Sequence, residues 1–533
     1  MNGMKLLLAA LLMGCGAVYA QVGTKIDTQR CFTNPMLWAD VPDPDVIRTG
    51  DDFYLVSTTM HLMPGAPVMH SKDLVNWKIV SYVFDKLTDT PNYDLQQGTA
   101  YGRGQWATSL RYHDGKYYIY FSPNDKPYRG YVYSTSDPKE GKWELVSRLP
   151  HFHDASLFFD DDGKAYVFYG TGQLRELKPD LTDVMPGGVD MKIFERDASE
   201  TGLLEGSRFI KHNGKYYLLM ISWPAGGKRR QVCYRADKIT GPYEKKVILE
   251  SDFGGFPYVG QGCILDDEKG NWYGVIFQDR GGVGRVLTLM PCRWVDGWPM
   301  LGDENGRVPE TMEKPVQGYP ETPLVVSDDF NDKKLNLCWQ WNHNPVNEAW
   351  SLTERPGHLR LKTNRRVDNL FLATNTLTQR MEGPRCSGRI ALDVSHMKNG
   401  DAAGFSAFNG DAALLTVKME NGKKYLVMET NVVSLRNSDK AVLGVKSEEK
   451  ERVELTGDII YLRIDGDFRP KRDIATCYYS LDNEHWTRIG TDFKMVFDYR
   501  RLFMGTKFAI FNYATKKSGG YVDVDFFDYE RIH

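Results

Sequence analysis

Between residues 45 and 280 apolar and polar positions recur in one order. An apolar stretch meets a turn of Asp, Asn or Gly, and a run of Tyr, Phe and Val follows. The first copy is Asp45-Val46-Ile47-Arg48, Gly50, then Phe53-Tyr54-Leu55-Val56. The second is Leu110-Arg111-Tyr112, Asp114-Gly115, Tyr117-Tyr118-Ile119-Tyr120. Leu157-Phe158-Phe159 leads through Asp162-Gly163 to Tyr166-Val167-Phe168, and Phe209-Ile210 through Asn213-Gly214 to Tyr216-Tyr217-Leu218-Leu219. Ile264-Leu265 with Gly270 and Trp272-Tyr273-Gly274-Val275 is the fifth. Each copy predicts a β-hairpin, because Asp-Gly and Asn-Gly accept the positive φ of tight turns. The turn glycines lie roughly 50 to 65 residues apart, the length of one four-stranded blade.

Outer strands repeat as well. His70-Ser71-Lys72-Asp73-Leu74-Val75-Asn76-Trp77 is echoed by Ser134-Thr135-Ser136-Asp137 with Trp143, and by Arg235-Ala236-Asp237 with Tyr243. The pattern predicts an all-β, five-bladed propeller over residues 32–305. It stops in a stretch marked by Pro309, Pro315, Pro320 and Pro323, which reads as a linker over 306–326. Over 327–533 strand signals resume without the blade period: Leu359-Arg360-Leu361, Tyr461-Leu462-Arg463-Ile464, Tyr478-Tyr479-Ser480 and Val522-Asp523-Val524-Asp525-Phe526. Alternation with few helix signals predicts an antiparallel sandwich.

The first twenty residues stand apart. Lys5 precedes an apolar run from Leu6 to Met13, too short to span a bilayer, and Val18-Tyr19-Ala20 offers a cleavage site. This predicts export, to the periplasm or the medium. Leu12-Met13-Gly14-Cys15 allows a second reading, a lipoprotein signal with an anchor at Cys15 on the outer membrane. No later segment resembles a membrane span.

Charge excludes one class of partner. Lys and Arg number 67 against 70 Asp and Glu, with no basic run, so nucleic acid is not expected. The eight cysteines form no CxxC pair and no zinc spacing, and read as buried or free thiols with one disulfide left open. The eleven histidines form no HExxH motif.

In a propeller the innermost strands line a central channel, so acids at the start of blades are the informative ones. Asp43 stands between two prolines in Val41-Pro42-Asp43-Pro44-Asp45, a rigid strand entry that aims a carboxylate. Asp40 and Asp45 compete with it. Asp154 precedes the third hairpin and Glu205 the fourth, both in mainly apolar surroundings. Paired carboxylates are what glycosidic cleavage requires.

Val41-Pro42-Asp43-Pro44-Asp45, Trp106-Ala107-Thr108-Ser109-Leu110-Arg111, Asp154-Ala155-Ser156-Leu157-Phe158, Glu205-Gly206-Ser207 and Asp296-Gly297-Trp298-Pro299 together resemble glycoside hydrolase family 43 in order and spacing. The resemblance implies an inverting enzyme. Asp43 would be the general base, Glu205 the general acid, and Asp154 the third carboxylate that holds the acid. Arg285 would contact sugar hydroxyls and that third carboxylate, and Trp106 would wall the site. No cofactor is required. Many members hold a channel calcium with a histidine; here Gln261 takes that place, so calcium is left open. The C-terminal region resembles the concanavalin A-like sandwich of the β-xylosidase branch, which closes one side of a pocket.

The implied activity is exo-acting release of terminal β-D-xylose or α-L-arabinofuranose from plant polysaccharide, such as xylan, arabinoxylan or xyloglucan, or from its oligosaccharides. The alternative is a non-catalytic carbohydrate-binding propeller, which predicts loss of a key acid. A retaining fructan-type enzyme is only faintly echoed by Asn34-Pro35 and Asp43-Pro44.

Overall fold

The structure is a computed structural model and describes residues 27–256 and 260–533. The export signal and Cys15 lie outside the described residues. Among the described residues there is no α-helix, only short 3-10 turns between strands, and no helix is long and apolar enough to cross a membrane.

Five four-stranded antiparallel sheets follow one another along the chain. Their innermost strands are Asp45–Thr49, Thr108–His113, Ser156–Phe159, Leu203–His212 and Gly262–Asp266. Blade 1 continues through Asp52–Val56, Gly65–Ser71 and Lys78–Phe84, and the others run outward in the same way. The hairpins form where the pattern places them. His113 pairs with Lys116 across Asp114 and Gly115, whose φ angles are 46° and 79°. Asn213 and Gly214 repeat this at 48° and 74°. Two successive positive φ angles fit a type I′ turn, whose twist matches that of the flanking strands.

The near-continuous apolar runs have a simple cause. Successive residues of a strand face opposite sides, and a blade is covered on both. Phe53 and Leu55 pack with Cys263, Val275 and Phe277 of blade 5, whereas Tyr54 and Val56 pack with Leu110, Ile119 and Phe121 of blade 2. Three further clusters join blades 2 and 3, 3 and 4, and 4 and 5. The ring therefore closes by packing. Among the described residues no strand is exchanged between blades 5 and 1. A short ribbon, Cys31–Thr33 on Thr311–Glu313, lies beside the seam, where Leu37 bridges Leu287 of blade 5.

The C-terminal region is a sandwich of two sheets around a second core. One sheet runs, in spatial order, Val442–Leu455, Lys423–Leu435, Asp411–Glu420, Asp401–Phe408, Lys507–Ala514, Leu377–Arg380 and Gln340–Asn342. Its last strand belongs to the propeller: Leu62–Met63 pairs with Trp341 and Asn342. Polar clasps reinforce this shared sheet. The carboxylate of Asp40 accepts the amides of Arg285 and Gly505, one from each region, at 2.9 and 2.8 Å. His343 Nε2 accepts the Ala100 amide at 2.9 Å.

A chain ending at Gly318 would lose Phe371, Leu502 and Phe511 and leave the apolar side chains of Leu62 and Tyr101, which pack against them, uncovered. Exposed patches of that kind drive aggregation. Such a truncation is expected to be insoluble, or inactive on short glycosides, when expressed and assayed beside the full chain. A soluble truncation with unchanged activity would show the sandwich to be dispensable.

Candidate active site

Three acids sit at one level of the channel mouth, each where the backbone leaves regular strand geometry. Asp43 has φ 54° and Asp154 has φ 47°, and each lies two residues ahead of its blade's first strand residue. Glu205 stands where a bulge shifts the register of blade 4, next to Gly206 at φ 76°. Non-glycine residues avoid such angles at a cost of about 1–3 kcal/mol, and bulges re-aim side chains. Both devices turn these carboxylates out of the ladder and into the mouth. Gly206 is needed for a second reason: a Cβ there would lie 2.5 Å from Gln261 Oε1.

The acids differ in their surroundings. Asp43 Oδ2 accepts the Thr58 hydroxyl at 2.6 Å and lies 3.5 Å from Arg285 Nη1. Its other oxygen has no hydrogen-bond partner among the described residues. Asp154 and Glu205 form a tighter group with His153, whose Nε2 is 3.8 Å from Asp154 Oδ2 and 3.3 Å from Glu205 Oε2. One ligand atom from each of these three lies within 4.8 Å of the others.

Burial raises the Asp154 carboxyl strongly, and the charges of Glu205 and Asp43 raise it further against the pull of His153 and Arg208. Burial alone would lower the His153 imidazole. The three carboxylates outweigh that and push it up to about 9. The corner therefore holds an imidazolium, and burial lets its Asp154 carboxyl keep a proton to a higher pH than an ordinary aspartate does. Exposure decides which carboxyl can deliver that proton outward. The Glu205 side chain is 35% exposed and that of Asp154 only 7%.

The walls come from both regions. Trp106 is half-buried, donates from its indole to the Gly102 carbonyl, and lies 6.1 Å from the His153 ring. On its other side, 5.6 Å away, stands Phe503 of the sandwich. Phe503 also covers the Arg285 guanidinium at 4.4 Å and accepts its hydrogen bond through the backbone carbonyl. Phe497 and Tyr499 extend this aromatic edge.

Two expected contacts differ. The resemblance places Arg285 at the third carboxylate. Its ion-pair partners among the described residues are instead Asp43 and Asp40, because Asp154 stands on another blade beside His153. Gln261 is 4% exposed, behind the Glu205–Gly206 bulge, and not on the open face of the mouth. The sequence pattern does not single out His153, Thr58, Arg208 or Phe503.

The channel does not offer what a calcium ion needs, which is six to eight oxygen ligands with net negative charge. The channel carboxylate of Asp45 already carries Arg111 at 2.7 Å and Arg208 at 3.5 Å. The nearby thiol of Cys263 is pushed up to about 12 by burial and stays neutral. The Gln261 atom left without a partner is the amide nitrogen, a donor. Two guanidinium groups against one carboxylate would repel a divalent cation.

With this geometry in hand, comparison with known proteins gives one answer. A family model described as glycosyl hydrolases family 43 matches residues 32–299, and one described as a beta-xylosidase C-terminal concanavalin A-like domain matches 327–530. A beta-xylosidase of Formosa agariphila is 31% identical over 94% of this chain and 90% of its own. A non-reducing end alpha-L-arabinofuranosidase of Bacteroides ovatus is 33% identical over 63% of this chain and 65% of its own. Among solved structures, a bifunctional GH43–CE protein of Bacteroides eggerthii is 44% identical with a TM-score of 0.86, covering 94% of this chain. This chain spans 64% of that longer one. An engineered GH43 glycoside hydrolase with endo-xylanase and exo-arabinofuranosidase activity, 31% identical, superposes with a TM-score of 0.86 over 94% of this chain and all of that one.

Proposed function

The chain belongs to glycosyl hydrolase family 43, and from that premise we propose an inverting, exo-acting hydrolase. It removes terminal β-D-xylose or α-L-arabinofuranose from xylan-type polysaccharides and their oligosaccharides. The sugar identity rests on the names of the relatives, which include both xylosidases and an arabinofuranosidase.

One observation carries the mechanism: the charge asymmetry of the mouth. On one side Glu205, Asp154 and His153 form a corner in which burial raises the Asp154 carboxyl and the carboxylates raise His153. Asp43 stands outside that group, with an oxygen that has no partner among the described residues. In this reading Glu205, the exposed member of the corner, protonates the leaving oxygen. Asp43 takes a proton from the water that attacks the anomeric carbon from the other face. Arg285 and Thr58 hold the Asp43 carboxylate while it does so. Carboxyl groups set apart leave room for that water, as inversion requires. Phe503 and Trp106 close the mouth beside the acids, which favours a chain end over a chain interior. Export is part of the proposal, on the order of charged and apolar residues from Lys5 to Met13.

The test is a panel of nitrophenyl pentosides, followed by proton NMR in the first minutes of hydrolysis. The expected result is turnover of a β-D-xyloside or an α-L-arabinofuranoside, with the released sugar first seen in the opposite anomeric configuration. A product that keeps the substrate's configuration would overturn the role given to Asp43.

A further inference from the structure

The third residue after Glu205 does something the acids do not. Arg208 is 1% exposed, and it reaches from blade 4 across the channel to the entry of blade 1. Its Nη2 donates to the carbonyl of Asp43 at 2.8 Å and its Nε to that of Pro44 at 3.2 Å. Its Nη1 donates to the carbonyl of Ser207 at 2.9 Å, and Nε lies 3.5 Å from Asp45 Oδ1.

The target of these bonds is a segment that cannot hold itself. Pro42 and Pro44 have no amide hydrogen, so the Val41–Asp45 entry gives up donors that a ladder would use. Its carbonyls are met by other means. Pro42 accepts the Thr58 amide and the Ser57 hydroxyl, while Asp43 and Pro44 both accept from Arg208. The residue so held has φ 54°, a conformation that persists only when its surroundings over-determine it. The planar, always charged guanidinium suits this task, because its fixed fork of donors spans several acceptors at once.

We propose that Arg208 is the positioning residue of Asp43: its guanidinium is the built-in cation of the propeller axis, fixing the base's backbone as a bound metal ion could. The assignment rests on the reading of Asp43 as the base. Removing the guanidinium would leave two buried carbonyls without donors and free Asp43 to relax from φ 54°. It would also take a positive charge from beside Asp43, Asp45 and Asp154, leaving Arg285 at Asp43, Arg111 at Asp45 and the His153 imidazolium at Asp154. Displacements near 1 Å at a reacting group cost on the order of 10²-fold in rate.

The experiment compares full-length Arg208→Met, Arg208→Lys and Asp43→Asn. Readouts are kcat and KM on the best aryl pentoside, thermal midpoint, and the pH profile of kcat. Arg208→Met is expected to lose roughly 10²-fold in kcat with KM little changed. Its acidic limb should move to higher pH, because a carboxylate that loses a neighbouring cation holds its proton more tightly. Millimolar guanidinium ion should restore part of the activity by refilling the vacated site. Arg208→Lys keeps the charge without the fork and should fall between. Wild-type activity should be indifferent to EDTA and to added calcium.

A folded Arg208→Met with wild-type kcat would overturn the assignment. If that variant does not fold, Arg208→Lys with wild-type kcat and pH profile would do the same. So would wild-type activity that EDTA abolishes and calcium restores. An active Asp43→Asn would instead remove the base reading underneath it. An inactive Asp43→Asn beside a fully active Arg208→Met would remove this inference alone.

Discussion

Asp43→Asn is expected to lower kcat by roughly 10³-fold, about 4 kcal/mol of transition-state stabilisation, while the fold stays intact. The change is isosteric. The Thr58 hydroxyl can still donate to the side-chain oxygen, and Arg208 still holds the backbone carbonyl. What is lost is the capacity to take a proton from water, together with the negative charge facing Arg285 at 3.5 Å. The loss should be nearly the same for activated aryl glycosides and for natural oligosaccharides, because both need an activated water. Azide, which needs no deprotonation, should recover turnover and yield a glycosyl azide of inverted configuration. Measuring kcat on both substrate types, with and without azide, checks the assignment. A variant with more than about a third of wild-type turnover on an oligosaccharide would exclude Asp43 as the base, given the usual 10²- to 10⁴-fold contribution of such groups.

The parts of this enzyme that could be read from its sequence are the parts encoded locally. Asp114-Gly115 and Asn213-Gly214 announce their hairpins because the turn chemistry lies in two adjacent residues. The prolines around Asp43 mark a strand entry for the same reason. The strands Leu359–Lys362, Ile459–Asp467, Ile474–Ser480 and Tyr521–Ile532 fall in one sheet, and each contains a segment whose alternation predicts it. The facing sheet is harder to see. Val442–Leu455 is an edge strand rich in Lys, Glu and Arg, where solvent takes the place of a partner, so its pattern is polar.

Contacts across the fold leave no local trace at all. Leu62–Met63 extends a sheet whose other strands lie hundreds of residues downstream, and nothing in two apolar residues says so. Phe503 joins the active site from the far end of the chain. Arg208 follows Glu205 in a segment that could be read. Its role depends on which carbonyls lie across the channel, and those belong to blade 1. His153 adjoins Asp154, yet its significance arises only when the bulge at Glu205 brings a second carboxylate within 3.3 Å.

That corner sets the second large effect. Glu205→Gln is expected to reduce turnover of unactivated oligosaccharides by roughly 10²- to 10⁴-fold and to spare substrates with good leaving groups. A dinitrophenolate departs without a proton, so its rate should fall far less, and the gap between the two substrates is the diagnostic. The pH dependence should change as well. In the wild type, burial raises the Asp154 carboxyl beside Glu205, and activity is expected to fall on the alkaline side as the corner's proton is lost. His153 opposes proton retention while it is charged. Its imidazole is raised to about 9, so that opposition is in place through neutral pH and is lost as pH rises through about 9. The amide introduced by Glu205→Gln has no proton to lose. The variant's residual activity on the dinitrophenyl glycoside should therefore stay level with rising pH where the wild type's activity on oligosaccharides declines, until the His153 charge is lost. An equal loss on both leaving groups, with the alkaline decline unchanged, would move the acid role from Glu205 to its buried neighbour Asp154.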